Sequence, residues 1–244
     1  MENNLKVKVE DVTVRFNLAK ERVDSIKEYV IKLFKGQLFF QEFFALKNIS
    51  FEIKSGEAWG IVGRNGCGKS TLLKTICGIL KPYKGSVSVS GTISPLIELG
   101  AGFDGEMTAR ENVFLNGCVL GYSEAFIREK FDEIIDFAEV RDFLDVPLKN
   151  FSSGMAARLG FAIATLVKPD ILICDEVLAV GDFKFQEKCE KKMNELLAGG
   201  TTLLFVSHST EQVKRLCNKA VWIENAQIKM IGDAQTVCDA YANS

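Results

Sequence analysis

Hydrophobic and polar positions alternate with a period of two at two places near the start of the chain, "VKVEDVTVRF" within residues 5–16 and "ALKNISFEI" at 45–53. That is the pattern of half-buried β-strands. Between them the period changes. "ERVDSIKEYVIKLFKGQLFFQEFF" sets Val23, Ile26, Val30, Leu33 and Phe34 at helical spacing among Lys20, Arg22, Lys27, Lys32 and Lys35, with a phenylalanine cluster after them. An amphipathic insertion over 17–44 is expected, and its periodicity suits either a helix on a membrane surface or membrane partner, or one packed on the protein's own sheet. Further on, the apolar runs "AWGIV", "ILIC" and "TTLLFV" read as buried parallel strands. "STLLKTICGIL" and "SSGMAARLGFAIATLV" read as helices, the second with Met155, Leu159, Ile163 and Leu166 on one face and its end set before Pro169. Pro82, Pro147 and Pro169 fall where periodic segments end, so the connections are short.

Composition narrows the possibilities. The 244 residues are 47% hydrophobic and 25% charged, enough for a full core. Thirty basic against thirty-two acidic residues leave a net charge of -2, which offers no global electrostatic case for nucleic acid. The seven cysteines have no paired spacing, so reduced thiols are expected rather than a metal cluster or disulfide framework. No apolar run approaches the roughly 18 residues of a membrane span, and the N-terminus has no apolar targeting core; a soluble chain that meets a membrane through a partner is expected.

The candidate chemistry starts at "GIVGRNGCGKST". Gly63, Gly68, Lys69 and Ser70 fit G-x-x-x-x-G-K-[ST] between an apolar strand and a helix. Glycines let backbone N–H groups surround phosphate oxygens, and the helix start adds oriented donors. Lys69 is expected on the β- and γ-phosphates and the Ser70 hydroxyl on Mg²⁺. "PDILICDEVLAVGD" ends an apolar strand with Asp175 and Glu176, where an α/β sheet collects ligands. Asp175 suits the metal side, and Glu176 suits orienting or deprotonating the attacking water. His208, the single histidine, ends "TTLLFVSH" at the same kind of strand exit, where a donor can contact the γ-phosphate. Ser152, Ser153 and Gly154 open a helix about twenty residues before Asp175. Such a start binds anions, and with one nucleotide already held at 63–71 its simplest use is on a phosphate set belonging to another copy of the chain.

This order of phosphate loop, serine-glycine helix start, Asp-Glu strand and histidine strand resembles the ATP-binding cassette ATPases, the motor subunits of ABC transporters. The match covers nearly the whole chain. "LIELGAGFDGEMTARENVFLNG", "FSSGMAARLGFAIAT" and "CDEVLAVGDFKFQEKC" are similar to the subgroup that exports O-antigen, capsule or teichoic acid. The resemblance implies an α/β fold, a P-loop NTPase, RecA-like core (1–91 and 161–244) with an ABC-type antiparallel β element and an inserted helical subdomain at 92–160. It also implies a head-to-tail homodimer that sandwiches two ATP, a polytopic membrane subunit as partner, and a place at the cytoplasmic face of the bacterial membrane. By resemblance, Gly63, Arg64, Asn65, Gly66, Cys67, Gly68, Lys69, Ser70 and Thr71 bind phosphates. Ser152, Ser153 and Gly154 serve the opposite subunit's ATP, although the usual Leu-Ser-Gly-Gly-Gln reads Phe-Ser-Ser-Gly-Met here. Asp182 becomes the dimer-crossing loop residue. "SPLIELGAGF" has no glutamine where the family places its coupling residue, and Glu98 is the nearest polar substitute. Phe16 is the counterpart of the aromatic that stacks on adenine, but its alternation with Val12 and Val14 equally suits a core strand residue. By the same resemblance the segment 20–44 corresponds to an extra helix near a membrane channel entrance. The chain ends near "VCDAYANS" with no segment resembling a glycan-binding β-sandwich, so glycan recognition is expected elsewhere or absent. Motors of other importers or multidrug exporters share the fold and remain the alternative.

Overall fold

The computed structural model describes residues 4–19, 40–96, 100, 102–175 and 181–244. Among these residues, two sheets and a helical layer make up the fold. The first sheet is antiparallel. Its strands β1 (Leu5–Ala19) and β2 (Phe40–Lys54) pair along their whole length, and β4 (Lys84–Val89) joins the other edge of β1. The second sheet runs in the order β5 (Ile93–Leu96), β6 (Ile171–Asp175), β7 (Thr202–Val206), β3 (Ala58–Val62), β8 (Lys219–Glu224), β9 (Gln227–Asp233), parallel except for β9.

The period of two explains how these layers share a core. Trp59 and Ile61, Ile171 and Ile173, Leu204 and Val206, and Val221 and Ile223 turn one way, onto Val7, Val9, Ile49 and Ile53 of the antiparallel sheet and Leu72, Leu73 and Ile76 of helix α1 (Lys69–Ile76). Their neighbours Ala58, Val62, Leu172, Cys174, Leu203, Phe205, Ala220 and Trp222 turn the other way, onto three later helices. These are α5 (Phe183–Ala198), α6 (Thr210–Leu216) and α7 (Ala234–Ala242). Both faces of the parallel sheet are covered, so its central strands are apolar throughout.

A third cluster lies outside the sheets. Helices α2 (Ala109–Val119), α3 (Glu124–Ala138) and α4 (Ser153–Ala164) pack Val113, Ile127, Ile134, Leu159 and Ile163 together. Thr108 and Glu111 form a reciprocal capping box at the start of α2. Asn112, wholly buried, accepts from the Asp104 N–H and donates to the Asp104 and Thr108 carbonyls, which fixes the loop entering this helix. Helix α4 serves two clusters at once, because Leu159 and Ile163 face the helical layer while Phe161 and Ala164 face the sheet core. Phe137 stacks on Phe161 at 5.8 Å across that seam.

Two expected boundaries move. Residues 93–96, assigned with the helical subdomain at 92–160, form β5 in the parallel sheet, and α4 continues past 160. Pro95 gave no strand signal, yet β5 is an edge strand, where a residue without an N–H is tolerated. The amphipathic insertion expected over 17–44 is also shorter: residues 17–19 and 40–44 pair in β1 and β2, out to Ala19↔Phe40. Phe43 and Phe44 are therefore strand residues, not part of an insertion, since aromatics pair well across an antiparallel ladder. Residues 20–39, which carry the helical periodicity, lie outside the described residues.

Candidate active site

The sheet order decides where the chemistry collects. β6, β7 and β3 are adjacent and parallel, so their carboxyl ends open onto one edge. From β3 the chain enters the glycine loop and α1, β6 ends in Asp175, and β7 leads through Ser207 to His208.

The loop is shaped by glycines that nothing larger can replace. Gly68, at φ 113, is the N-cap of α1, and a Cβ there would meet the Leu46 side chain at 2.8 Å and press closer still on the Ala45 carbonyl oxygen. At Gly63, φ 150, a Cβ would meet the Cys67 sulfur at 2.7 Å. Helix α1 starts without a side-chain cap and without an acidic residue in its first turn, which leaves the dipole and first N–H groups oriented toward an anion. Lys69 is 7% exposed, and its ammonium donates to the carbonyls of Gly63 at 2.8 Å and Arg64 at 3.2 Å. The Cys67 thiol is half-buried, and burial pushes it above its ordinary range, against the pull of the Lys69 charge.

Ser70 Oγ donates to Asp175 Oδ2 at 2.8 Å, across 105 residues of sequence. His208 is exposed on a turn fixed from below: Ser207 Oγ accepts from the Ser209 N–H at 3.1 Å and donates to Gln212 Oε1 at 2.7 Å, and Ser209 caps α6. A cleft of about 370 Å³ is lined by Phe16, Asn65, Lys69, Ser70, Thr71 and His208, among others. Phe16 therefore faces the phosphate loop rather than the core, at 37% exposed. Glu176 and Glu98 lie outside the described residues.

Ser152, Ser153, Gly154 and Asp182 do not line this cleft. Ser152 caps α4 by accepting from the Met155 N–H at 3.2 Å, and both serines are exposed. Asp182 caps α5 by accepting from the Phe185 N–H at 2.9 Å, which, with Arg158 nearby, holds its carboxyl below the usual range. Arg158, in the helix that begins at Ser153, bonds Asp182 at 2.9 Å and Glu139 at 3.2 Å and lies over the Phe185 ring at 4.7 Å. The serine-glycine helix start and the Asp182 loop of one chain are thus tied together. Sequence reasoning missed Arg158 and Phe43. Arg158 carries no motif of its own, and Phe43 is visible only through the strand register that sets it opposite Phe16.

A strand, glycine loop and helix beside a serine-bound strand-end aspartate define a P-loop nucleoside triphosphatase. The matches to known proteins narrow this. The ABC transporter family model matches residues 46–179, and the chain belongs to that family of ATPases. It is 43% identical to the O-antigen export system ATP-binding protein RfbB of Klebsiella pneumoniae, over 95% of both chains. It is 44% identical to the teichoic acids export ATP-binding protein TagH of Bacillus anthracis, over 98% of this chain but 42% of that longer protein. Among solved structures, an ATP-binding cassette dimer in a post-hydrolysis state bound to ADP and Pi superposes with a TM-score of 0.74 at 22% identity, covering 93% of this chain and 98% of the other. An ATP-binding subunit of an ABC transporter superposes with a TM-score of 0.76 at 22% identity, covering 97% and 93%.

Proposed function

We propose that this ATPase is the motor subunit of an exporter that moves a lipid-linked polysaccharide, O-antigen, capsule or teichoic acid, across the bacterial cytoplasmic membrane. The observation that carries the motor reading is the cleft lined by Lys69, Ser70 and His208, with Ser70 bonded to the strand-end Asp175. Similarity along nearly the whole chain to the O-antigen and teichoic-acid export proteins supports the glycan class. The same similarity to subunits of export systems supports attachment at the cytoplasmic face through a polytopic membrane subunit, and among the described residues no helix is long and apolar enough to cross a membrane.

In this reading Gly63 to Thr71 surround the phosphates of ATP, Lys69 neutralises the β- and γ-phosphates, and Phe16 contacts the base. Ser70 Oγ and Asp175 Oδ2 are hard oxygen donors 2.8 Å apart at the phosphate edge, and they suit Mg²⁺. When bound there, Mg²⁺ supplies charge neutralisation to the phosphoryl oxygens. Glu176 orients and deprotonates the attacking water, and His208 donates to the γ-phosphate. Catalysis is mostly positioning and electrostatic stabilisation of an in-line phosphoryl transfer. Ser152, Ser153, Gly154 and Asp182 do not line their own chain's cleft. Their anion-binding helix start is then used on the ATP of a second copy, in a head-to-tail homodimer that closes on two ATP and reopens after hydrolysis. Glu98 and residues 20–39 are assigned to contact with the membrane subunit on the family resemblance.

Two experiments test this. Glu176→Gln is expected to bind ATP and shift to a dimer on size exclusion while barely hydrolysing; ready turnover removes Glu176 as base. Depletion in source cells, followed by mass spectrometry of lipid-linked glycans, is expected to show polyol-phosphate chains or sugar repeats accumulating. If no glycan builds up while the purified protein hydrolyses ATP, the substrate class is wrong.

A further inference from the structure

We propose that Phe43 joins Phe16 in a two-ring wall that holds the purine base of the bound nucleotide; this rests on the nucleotide-site reading above. The β1–β2 register pairs Phe16 directly with Phe43, and directly opposed residues project from the same face of an antiparallel ribbon. Val14 and its partner Leu46, reached beyond the Arg15–Phe44 pair and a shift of register, are buried, whereas Phe16 is 37% and Phe43 46% exposed. Two large apolar rings left open side by side need a flat apolar partner, and both line the cleft that holds Lys69 and Thr71. Phe43 alone of the two also lines a second cavity of about 560 Å³, bounded by Arg64 and Cys67 of the phosphate loop. Its ring therefore stands at the divide between the two hollows, beside the loop. Among the described residues β4 pairs with β1 no further than Thr13, which leaves the strand edge beside Phe16 unpaired there for a base to enter. A nucleotide anchored by its phosphates on Lys69 and Thr71 has its uncharged base left to place, and a base gains from every aromatic face it contacts.

The test separates base from phosphate. Titration calorimetry on the full chain compares ATP with inorganic tripolyphosphate, which has the charge and no base. Phe43→Ala and Phe16→Ala are each expected to weaken ATP binding by about tenfold while tripolyphosphate binding stays within about twofold. The double variant is expected to lose more than either, and Phe43→Trp to restore ATP binding. Phe44, which does not line the cleft that holds Lys69 and Thr71, serves as the control, with Phe44→Ala within about twofold for both ligands. ATP binding unchanged in Phe43→Ala, or ATP and tripolyphosphate falling together, overturns the role of Phe43. Tripolyphosphate binding that survives Lys69→Ala would instead show that the cleft is not the phosphate site, and both readings fall.

Discussion

Substituting Gly68 by alanine tests whether the phosphate loop is held in shape by contact or only by backbone conformation. At φ 113 an L-residue is strained, a cost of about 1–3 kcal/mol. A Cβ at this position also comes 2.8 Å from Leu46 Cδ2 and nearer to the Ala45 carbonyl, inside the 3.0 Å that real Cβ atoms essentially never cross. The neighbour cannot retreat easily. Leu46 is paired to Val14 in the ladder, and the adjoining Lys47 N–H is bonded to Ala226 O at 2.7 Å. Overpacking against such a support costs about 1–3 kcal/mol more. The sum is about 4 kcal/mol, or roughly 12 °C in Tm for a chain of this size. Gly66 is the internal reference, because it has φ 77 but nothing within 4 Å of an added Cβ. Gly66→Ala is expected to cost only the backbone part, about 1 kcal/mol and roughly 3 °C. Thermal unfolding followed by circular dichroism reads both variants. Because relief of the clash moves Lys69 and Ser70, Gly68→Ala should also weaken ATP binding by about a hundredfold or more. Equal Tm losses in the two variants, or a Gly68→Ala loss under about 3 °C, would refute the contact argument.

Three further outcomes are expected. His208→Ala should lower the ATPase rate about a hundredfold with nucleotide affinity nearly unchanged, as for a lost transition-state donor; a parallel loss of affinity would make it a binding residue. Asp170 accepts from Lys6 Nζ at 2.8 Å and from the N–H and hydroxyl of Thr92, and these bonds hold its carboxyl down at about 2 against the usual 3.8. A depressed carboxyl stabilises fully above its unfolded value and loses that contribution as pH falls through its folded value. Unfolding free energies from urea titrations should therefore drop between pH 4 and pH 2 more steeply in the wild type than in Asp170→Asn, by about 1 kcal/mol for so exposed a group. Arg158→Ala should cost about 1–2 kcal/mol and weaken ATP-dependent dimerisation, with Arg158→Lys failing to restore it, because an ammonium cannot bridge Asp182 and Glu139 while lying flat on Phe185. Full rescue by lysine, scored by analytical ultracentrifugation, would reduce its role to charge alone.

What could be read from residue order was what is local. The phosphate loop is nine consecutive residues, 63–71, whose conformation depends on glycines a few positions apart, so its place and chemistry were legible before folding. Apolar runs likewise announced β3, β6 and β7, since a strand buried on both faces has no polar period, and the helix start at Ser152 declared itself by its cap. The rest depended on partners distant in the chain. Pro95 concealed β5 because tolerance of proline depends on which strand is the edge. The extent of β1 and β2 depended on cross-strand pairing, which moved Phe43 from an apparent insertion to a place opposite Phe16. Sequence spacing set Ser70, Asp175 and His208 at the ends of their own elements, but only the adjacency of β6, β7 and β3 brought Ser70 and His208 to one cleft and Asp175 onto Ser70. The Arg158 link to Asp182 had no sequence signature, because an ion pair between two helices is decided by packing, and packing is a property of the whole fold.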